Sequence, residues 1–325
     1  MKLVTLDGFA ANPGDIDLEA WRALADAEGC PLVMETYDRT APDQVLLRAR
    51  DAELVLTNKT VLDADTIGQL PCLRYIGVLA TGYNVVDTEA AHRQGIVVTN
   101  IPAYSTMSVA QMVFAHLLHI THRVSEHSRA VHGGRWQSAS DFCFWDYPLI
   151  ELAGQTMGIV GLGNTGLATA CIAQAMGMHV VAWSSKSGEV LDTLGIEKAQ
   201  SLEQLFREAD VLSLHCPLTV ETHHLVRRET LAWMKPTAIL INTGRGPLVC
   251  EQDLADALRE GRLYAAGIDV LTEEPPRKGS PLIGLDNCFI TPHIAWATLQ
   301  ARRRLWQVAL ANVQNFLAGT PENQV

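Results

Sequence analysis

The run Met157-Gly158-Ile159-Val160-Gly161-Leu162-Gly163-Asn164-Thr165-Gly166 constrains this chain more than any other stretch. A short apolar strand leads into G-x-G-x-x-G, and a helix-like stretch, Leu167 to Met176, follows it. That setting separates the motif from an ordinary glycine-rich turn. Gly161 permits a tight turn, Gly163 lets backbone approach a diphosphate, and Gly166 lets helix and strand pack closely. The amides of Asn164 and Thr165 then face phosphates at a helix N-terminus. The motif implies a Rossmann-type unit that binds a dinucleotide.

The rest of the chain alternates in the same way. Its 325 residues suggest about two domains. Apolar runs at 2–6, 54–57, 73–78 and 96–99 read as strands, with helical stretches at 18–28, 43–49 and 88–94. Such alternation builds βαβ units and a parallel sheet. Asn100-Ile101-Pro102 breaks the pattern and places a hinge near Pro102. A long helix over 105–133 should follow, started by a Ser105 or Thr106 cap and ended by Gly133-Gly134. A second alternating series gives strands at 156–160, 179–183, 211–215, 238–242, 265–270 and 289–291. A last amphipathic helix over 298–317 is expected to return to the first domain. The expected fold is α/β. A parallel-sheet domain spans 1–101 with 296–325, and a Rossmann-type domain spans 102–295.

Composition excludes several partners. A net charge of -11 argues against nucleic acid or an anionic membrane. If the substrate is an anion, its site must carry local positive charge of its own. No apolar run is long enough to span a bilayer, and residues 1–8 lack the regions of a signal peptide, so the cytoplasm is the expected location. The 7 cysteines are scattered and odd in number, so neither a disulfide framework nor a cysteine metal site is expected. His116, His119 and His122 recur at i, i+3 and i+6 on the long helix. No carboxylate or cysteine completes a ligand set around them, so no metal is expected.

The strand after the phosphate loop should end on the residue that meets the adenosine ribose. It ends Trp183-Ser184-Ser185-Lys186, without a carboxylate. An aspartate there would accept the ribose hydroxyls and repel a 2′-phosphate. Ser184, Ser185 and Lys186 suit that phosphate instead, which favours NADP over NAD.

Three later segments put polar residues where strands end, the place where open α/β sheets bind ligands. They are Asn242-Thr243-Gly244-Arg245-Gly246, Asp269-Val270-Leu271-Thr272-Glu273-Glu274-Pro275 and Pro292-His293-Ile294-Ala295. Arg245 offers a planar fork for a carboxylate and a charge near a reacting oxygen. His293 is a natural proton donor near neutral pH. Glu274 can hydrogen-bond the imidazole, orient it and stabilise its charged form. Asp269 is near enough in sequence to address a nicotinamide carboxamide or its ribose.

In this order the motifs resemble the D-isomer-specific 2-hydroxyacid dehydrogenase family. Ala80-Thr81-Gly82, Ser108-Val109-Ala110, His215-Cys216-Pro217-Leu218-Thr219 and Leu248-Val249 extend the likeness over essentially the whole chain. The resemblance implies two domains, the substrate domain flavodoxin-like, with the active site in the cleft. It implies reduction of a small 2-keto acid by NAD(P)H, with Arg245 as carboxylate and carbonyl ligand, His293 as acid/base and Glu274 as its partner. Backbone amides at Ala80, Thr81 and Gly82 would hold the substrate carboxylate beside Arg245 and His293. Thr243, Gly244, Arg245 and Asp269, with His293 and Ala295, would face the nicotinamide side of the cofactor. His215, Cys216 and Pro217 would face the adenosine side. The opening Leu6-Asp7-Gly8 and the stretch 77–84 look most like glycerate dehydrogenases, also called hydroxypyruvate or glyoxylate reductases. With its last residue at Val325, the chain is expected to lack the regulatory domain of long phosphoglycerate dehydrogenases. It departs from the family at Ser184, at Thr165 for a more usual isoleucine, and at Ala295-Trp296 near the histidine.

Two further expectations belong to the whole molecule. Trp136, Phe142, Phe144, Trp145 and Tyr147 make residues 135–148 too apolar to face water. The family's dimers suggest a homodimer that buries the 142–147 loop, with Trp145 reaching toward the neighbouring active site. The alternative function is a nicotinamide-sensing scaffold or corepressor-like binding protein of the same fold. Consumption of NAD(P)H on adding a keto acid distinguishes the two.

Overall fold

The computed structural model describes residues 1–25 and 32–325, in two compact units. The expected helix over 18–28 is helical at Glu19–Ala25, Leu18 precedes it, and residues 26–28, like Cys30, lie outside the described residues.

The first unit comprises 1–105 and 297–325. Its strands are β1 (Lys2–Thr5), β2 (Val33–Thr36), β3 (Leu54–Thr57), β4 (Tyr75–Val78) and β5 (Val97–Thr99), all parallel in the order 2-1-3-4-5. That is the flavodoxin-like order. β3 and β4 are buried at every residue, because helices cover both faces of such a sheet. β2 is an edge strand with no fully buried residue, so Val33-Met34-Glu35-Thr36 carries no apolar run for a sequence reading to find. The closing helix, Leu299–Leu317, is capped by Thr298 and belongs to this unit. Arg302 forks onto Asp15 with both contacts at 2.6 Å and donates to the Ala297 carbonyl at 3.0 Å.

The chain leaves this unit between Ser105 and Thr106, later than the expected hinge at Pro102. Ile101 N donates to Ala80 O at 3.0 Å, and Arg304 Nε donates to Tyr104 O at 2.9 Å, so these residues stay with the first unit. It returns between Trp296 and Ala297, one residue later than expected.

The second unit, 106–296, holds β6 (Thr156–Val160), β7 (His179–Trp183), β8 (Glu197–Lys198), β9 (Val211–Leu214), β10 (Ile239–Asn242), β11 (Ala265–Ile268) and β12 (Cys288–Ile290). They are parallel in the order β12-β11-β10-β9-β6-β7-β8. Counted from β6 this is 3-2-1-4-5-6 with a seventh strand at the edge, the Rossmann order. Connections from β6 diverge to either side, which opens a switch point between β6 and β9. β8 has two residues, too short to leave a sequence signal.

The long helix expected over 105–133 is two helices, Thr106–His122 and Val124–His132. Arg123 sits between them at φ 49°, a left-handed conformation. That turn sets its guanidinium 4.3 Å from the Phe289 ring centre and 5.0 Å from that of Tyr147. No local breaker marks the site. The kink is a tertiary demand, made by β12 and the aromatic segment.

Candidate active site

The glycines of the phosphate loop do three different things. Gly161 has φ 90°, and a Cβ there would come 2.7 Å from Cys216 N. A Cβ at Gly166 would come 2.2 Å from Gly161 O. These two let the loops after β6 and β9 meet at the switch point. A Cβ at Gly163 would touch nothing within 4 Å. It caps the helix Asn164–Ala175, and no side chain supplies a cap. By contrast Asp63, Asp87, Ser187, Ser201 and Thr298 each cap their own helices. The first amides of this helix are therefore open to an anion.

At the end of β7, Ser184 Oγ accepts from Lys186 N at 3.2 Å, which shapes the turn. Ser185 and Lys186 are exposed, and Lys186 makes no ion pair among the described residues. Lys198 Nζ donates to Lys186 O at 2.6 Å, so a second cation lies at this turn. Sequence reasoning missed it, because only the pairing of β8 with β7 brings it there. Beyond β9, His215 is held neutral. Burial pushes its pKa down to about 4, and its Nε2 lies 2.9 Å from Ser213 Oγ. Cys216 is buried and Pro217 exposed.

The loops after β10, β11 and β12 converge. Asn242 organises the first: its Oδ1 accepts from Gly244 N at 3.1 Å, and its Nδ2 donates to Arg245 O at 2.9 Å. Arg245 is exposed and donates only to the adjacent Gly244 O, at 2.9 Å. Among the described residues no carboxylate pairs with it, so its fork is available to a ligand. Gly246 lets this loop lie on the next one, since a Cβ there would come 2.1 Å from the Leu271 carbonyl carbon. On that second loop Glu274 Oε1 accepts from Leu271 N at 2.9 Å, which aims the carboxylate. Its Oε2 accepts from His293 Nδ1 at 2.5 Å. Both side chains remain about one-third exposed, leaving the imidazole accessible.

Asp269, expected to address the nicotinamide, also has a structural task. It is 1% exposed, and its carboxylate is taken up by the third loop. Oδ1 accepts from Thr291 Oγ1 at 2.5 Å and Ile294 N at 2.9 Å, while Oδ2 accepts from Ala295 N at 2.8 Å. His293 N donates to Asp269 O at 2.8 Å and Thr291 O at 2.9 Å. His293 has φ 55°, which a non-glycine residue holds only when its surroundings over-determine it. Asp269 supplies that constraint. Thr291, which sequence reasoning passed over, supplies part of it.

These residues fit a nicotinamide dinucleotide. Gly163 leaves a bare helix mouth, and Thr243 Oγ1 is buried with no partner among the described residues, a polar atom in want of one at the arginine loop. In the first unit Ala80 O accepts from Ile101 N at 3.0 Å and Thr81 O from Asn100 Nδ2 at 2.8 Å. Thr81 Oγ1 donates to Ile101 O at 2.8 Å. The carbonyls are thus engaged, while the amides of Ala80, Thr81 and Gly82 donate to nothing among the described residues. The three helical histidines do not converge: His119 Nε2 lies 3.5 Å from Glu126, and His122 Nδ1 lies 3.0 Å from Thr121 Oγ1.

The NAD-binding domain of D-isomer specific 2-hydroxyacid dehydrogenases matches residues 114–295. Over 325 residues the chain is 47% identical to a hydroxypyruvate reductase from Blautia hydrogenotrophica, covering 100% of this chain and 99% of that protein. The chain belongs to the D-isomer specific 2-hydroxyacid dehydrogenase family. A glycerate dehydrogenase from Methylorubrum extorquens is 38% identical over 313 residues, covering 95% of this dehydrogenase and 97% of its relative. A solved structure from Thermus thermophilus matches it with a TM-score of 0.86, at 35% identity over 100% of both chains. This dehydrogenase is thus a nicotinamide-dependent oxidoreductase, and the scaffold alternative gives way to an enzyme. Among its described residues no helix is long and apolar enough to cross a membrane.

Proposed function

We propose that this dehydrogenase reduces hydroxypyruvate and glyoxylate to D-glycerate and glycolate. The observation that carries this reading is the 2.5 Å contact between His293 Nδ1 and Glu274 Oε2, together with Arg245, which no carboxylate among the described residues neutralises. The names of its two full-length relatives supply the substrate class. NAD(P)H, when bound, would supply the hydride for the keto carbon. His293 gives a proton to the carbonyl oxygen, and Glu274 stabilises the imidazolium before transfer. Arg245 binds the substrate carboxylate and draws charge onto the oxygen. The amides of Ala80, Thr81 and Gly82, which donate to nothing among the described residues, are proposed as further carboxylate donors. Thr243, Gly244 and Ala295 would hold the nicotinamide side, and Asp269 acts on the reaction by holding the His293 loop.

Ser184, Ser185 and the Lys186–Lys198 pair favour NADPH, because two cations, neither ion-paired among the described residues, lie at the turn where a 2′-phosphate would sit. Steady-state rates for a panel of 2-keto acids, each with NADH and NADPH, test both readings. Reduction of hydroxypyruvate and glyoxylate well above pyruvate is expected, with NADPH preferred. Equal rates for all, or strong NADH preference, contradict them.

The enzyme is also proposed to be a C2 homodimer through the second unit. Phe142 is 88%, Trp145 62% and Trp136 53% exposed, beside an apolar cavity of about 500 Å³ lined by Val124, Val131, Phe144 and Leu149. The loop has a fixed shape: Trp136 Nε1 donates to Phe142 O at 2.9 Å, Arg135 pairs with Asp146, and the Arg135 guanidinium lies 4.4 Å from the Phe144 ring centre. An ordered loop with its rings outward suits a second copy of the same surface.

A further inference from the structure

The helix Thr106–His122 carries a buried imidazole that the reaction above does not use. His116 is 5% exposed and lies against β11. A Cβ at Gly267 would come 2.7 Å from His116 Cβ and 2.9 Å from its Cγ, so this ring and a bare position 267 require each other. His116 Nε2 lies 3.0 Å from Thr291 Oγ1. The Thr291 hydroxyl has one proton, and Asp269 Oδ1 receives it at 2.5 Å. Toward His116 the hydroxyl must therefore accept, and Nε2 must carry a hydrogen. Burial holds this imidazole below its usual range, with His119 acting in the same sense and Asp269 against it. The donor at neutral pH is the uncharged Nε2–H form.

We propose that His116 is a positioning residue for His293, acting through Thr291 and Asp269 on the loop 291–295. Each link has one job. His116 orients the Thr291 hydroxyl so that its proton points at Asp269. Thr291 fixes the rotamer of Asp269, whose oxygens then meet the Ile294 and Ala295 amides at 2.9 and 2.8 Å. Those bonds hold His293 at φ 55°, and from there its Nδ1 reaches Glu274. With the donor removed, the hydroxyl can turn away and the carboxylate loses its lock. The loop then relaxes toward ordinary backbone angles and the imidazole leaves its partner. The residue reads from sequence as one of three spaced histidines. In the fold it is the one directed at the active-site loop.

The inference rests on His293 as proton donor, and the test separates the two. His116→Leu keeps bulk and loses the donor, while His116→Gln keeps an N–H. Thr291→Val loses the hydroxyl at the same shape. With hydroxypyruvate and NADPH, His116→Leu should lower kcat on the order of 10-fold to 10²-fold and leave cofactor affinity unchanged. His116→Gln should recover most of the loss. The double variant His116→Leu with Thr291→Val should be no slower than Thr291→Val alone. A packing role predicts the opposite: a lower Tm, unchanged kcat per folded enzyme, additive effects and no recovery by glutamine. That result overturns the proposal. A ligand-free readout stands beside it. The imidazole nitrogen resonances of His293, identified by their loss in His293→Ala, should move in His116→Leu and Thr291→Val and return in His116→Gln. If they move so while no keto acid is reduced, the positioning stands and the reduction reading falls. Resonances that stay put in all three variants overturn the positioning, whatever the kinetics.

Discussion

In the proposed reaction, Arg245 answers the problem that an acidic protein poses for an anionic substrate. At net charge -11 the surface repels a keto acid, and the Arg245 guanidinium, which pairs with no carboxylate among the described residues, is proposed to provide the local attraction. Arg245→Lys keeps the charge and loses the fork. It should lower kcat/KM for hydroxypyruvate on the order of 10²-fold, with NADPH affinity nearly unchanged by fluorescence titration. Collapse of cofactor binding with turnover intact would assign Arg245 the wrong role. His215 makes a different prediction. Its folded pKa of about 4 lies below the unfolded value of about 6.5. Between those pH values the unfolded chain binds a proton that the folded one does not. Stability is therefore complete above about pH 6.5 and is lost as the pH falls toward 4. His116 acts in the same direction. Urea midpoints at about pH 7 and about pH 5 should separate for the wild type and separate less for His215→Gln. An equal separation would mean that burial does not hold this ring neutral. The place of Arg245, Glu274 and His293 beyond strand ends was legible in sequence, and the structure adds the His293–Glu274 contact. Asp269 was legible as important, but its hold on the loop 291–295 was not, because spacing cannot show that three donors meet one carboxylate.

Single elements were legible in proportion to their burial. β3, β6 and β7 fall where apolar runs place them, since strands covered on both faces must be apolar along their length. β2 and β8 are edges, and edges carry no such demand. The break at Arg123 escaped notice because its cause, two aromatic rings from distant segments, is absent from the local sequence. The turn after β7 shows what a strand end decides. Ser184→Asp should shift preference toward NADH, because a carboxylate there accepts ribose hydroxyls and repels a 2′-phosphate. Lys186→Ala should raise KM for NADPH more than for NADH. The ratio of kcat/KM for the two cofactors checks both. A Ser184→Asp variant that still favours NADPH would place the 2′-phosphate elsewhere.

At the scale of the molecule, two parallel sheets of different strand order follow from one alternating sequence, and the chain crosses between them twice. Alternation announced both sheets. The crossing points came a few residues late, because side chains such as Arg304 hold the linker to the first unit. The exposed rings of Phe142 and Trp145 predict assembly. Phe144→Ala with Trp145→Ala should convert the dimer to monomer in sedimentation velocity, each buried ring being worth roughly 1.5–3 kcal/mol. A shift in keto-acid preference in the same variant would place Trp145 near the neighbouring active site. A wild type that sediments as a monomer would remove the proposed interface. The central claim concerns one proton, and its most direct test compares wild type with His293→Ala in the rate of NADPH consumption on adding hydroxypyruvate. The wild type should consume NADPH only when the keto acid is present, and the variant should be slower by about 10²–10⁴-fold with cofactor binding intact. Reduction by His293→Ala at the wild-type rate would contradict the account.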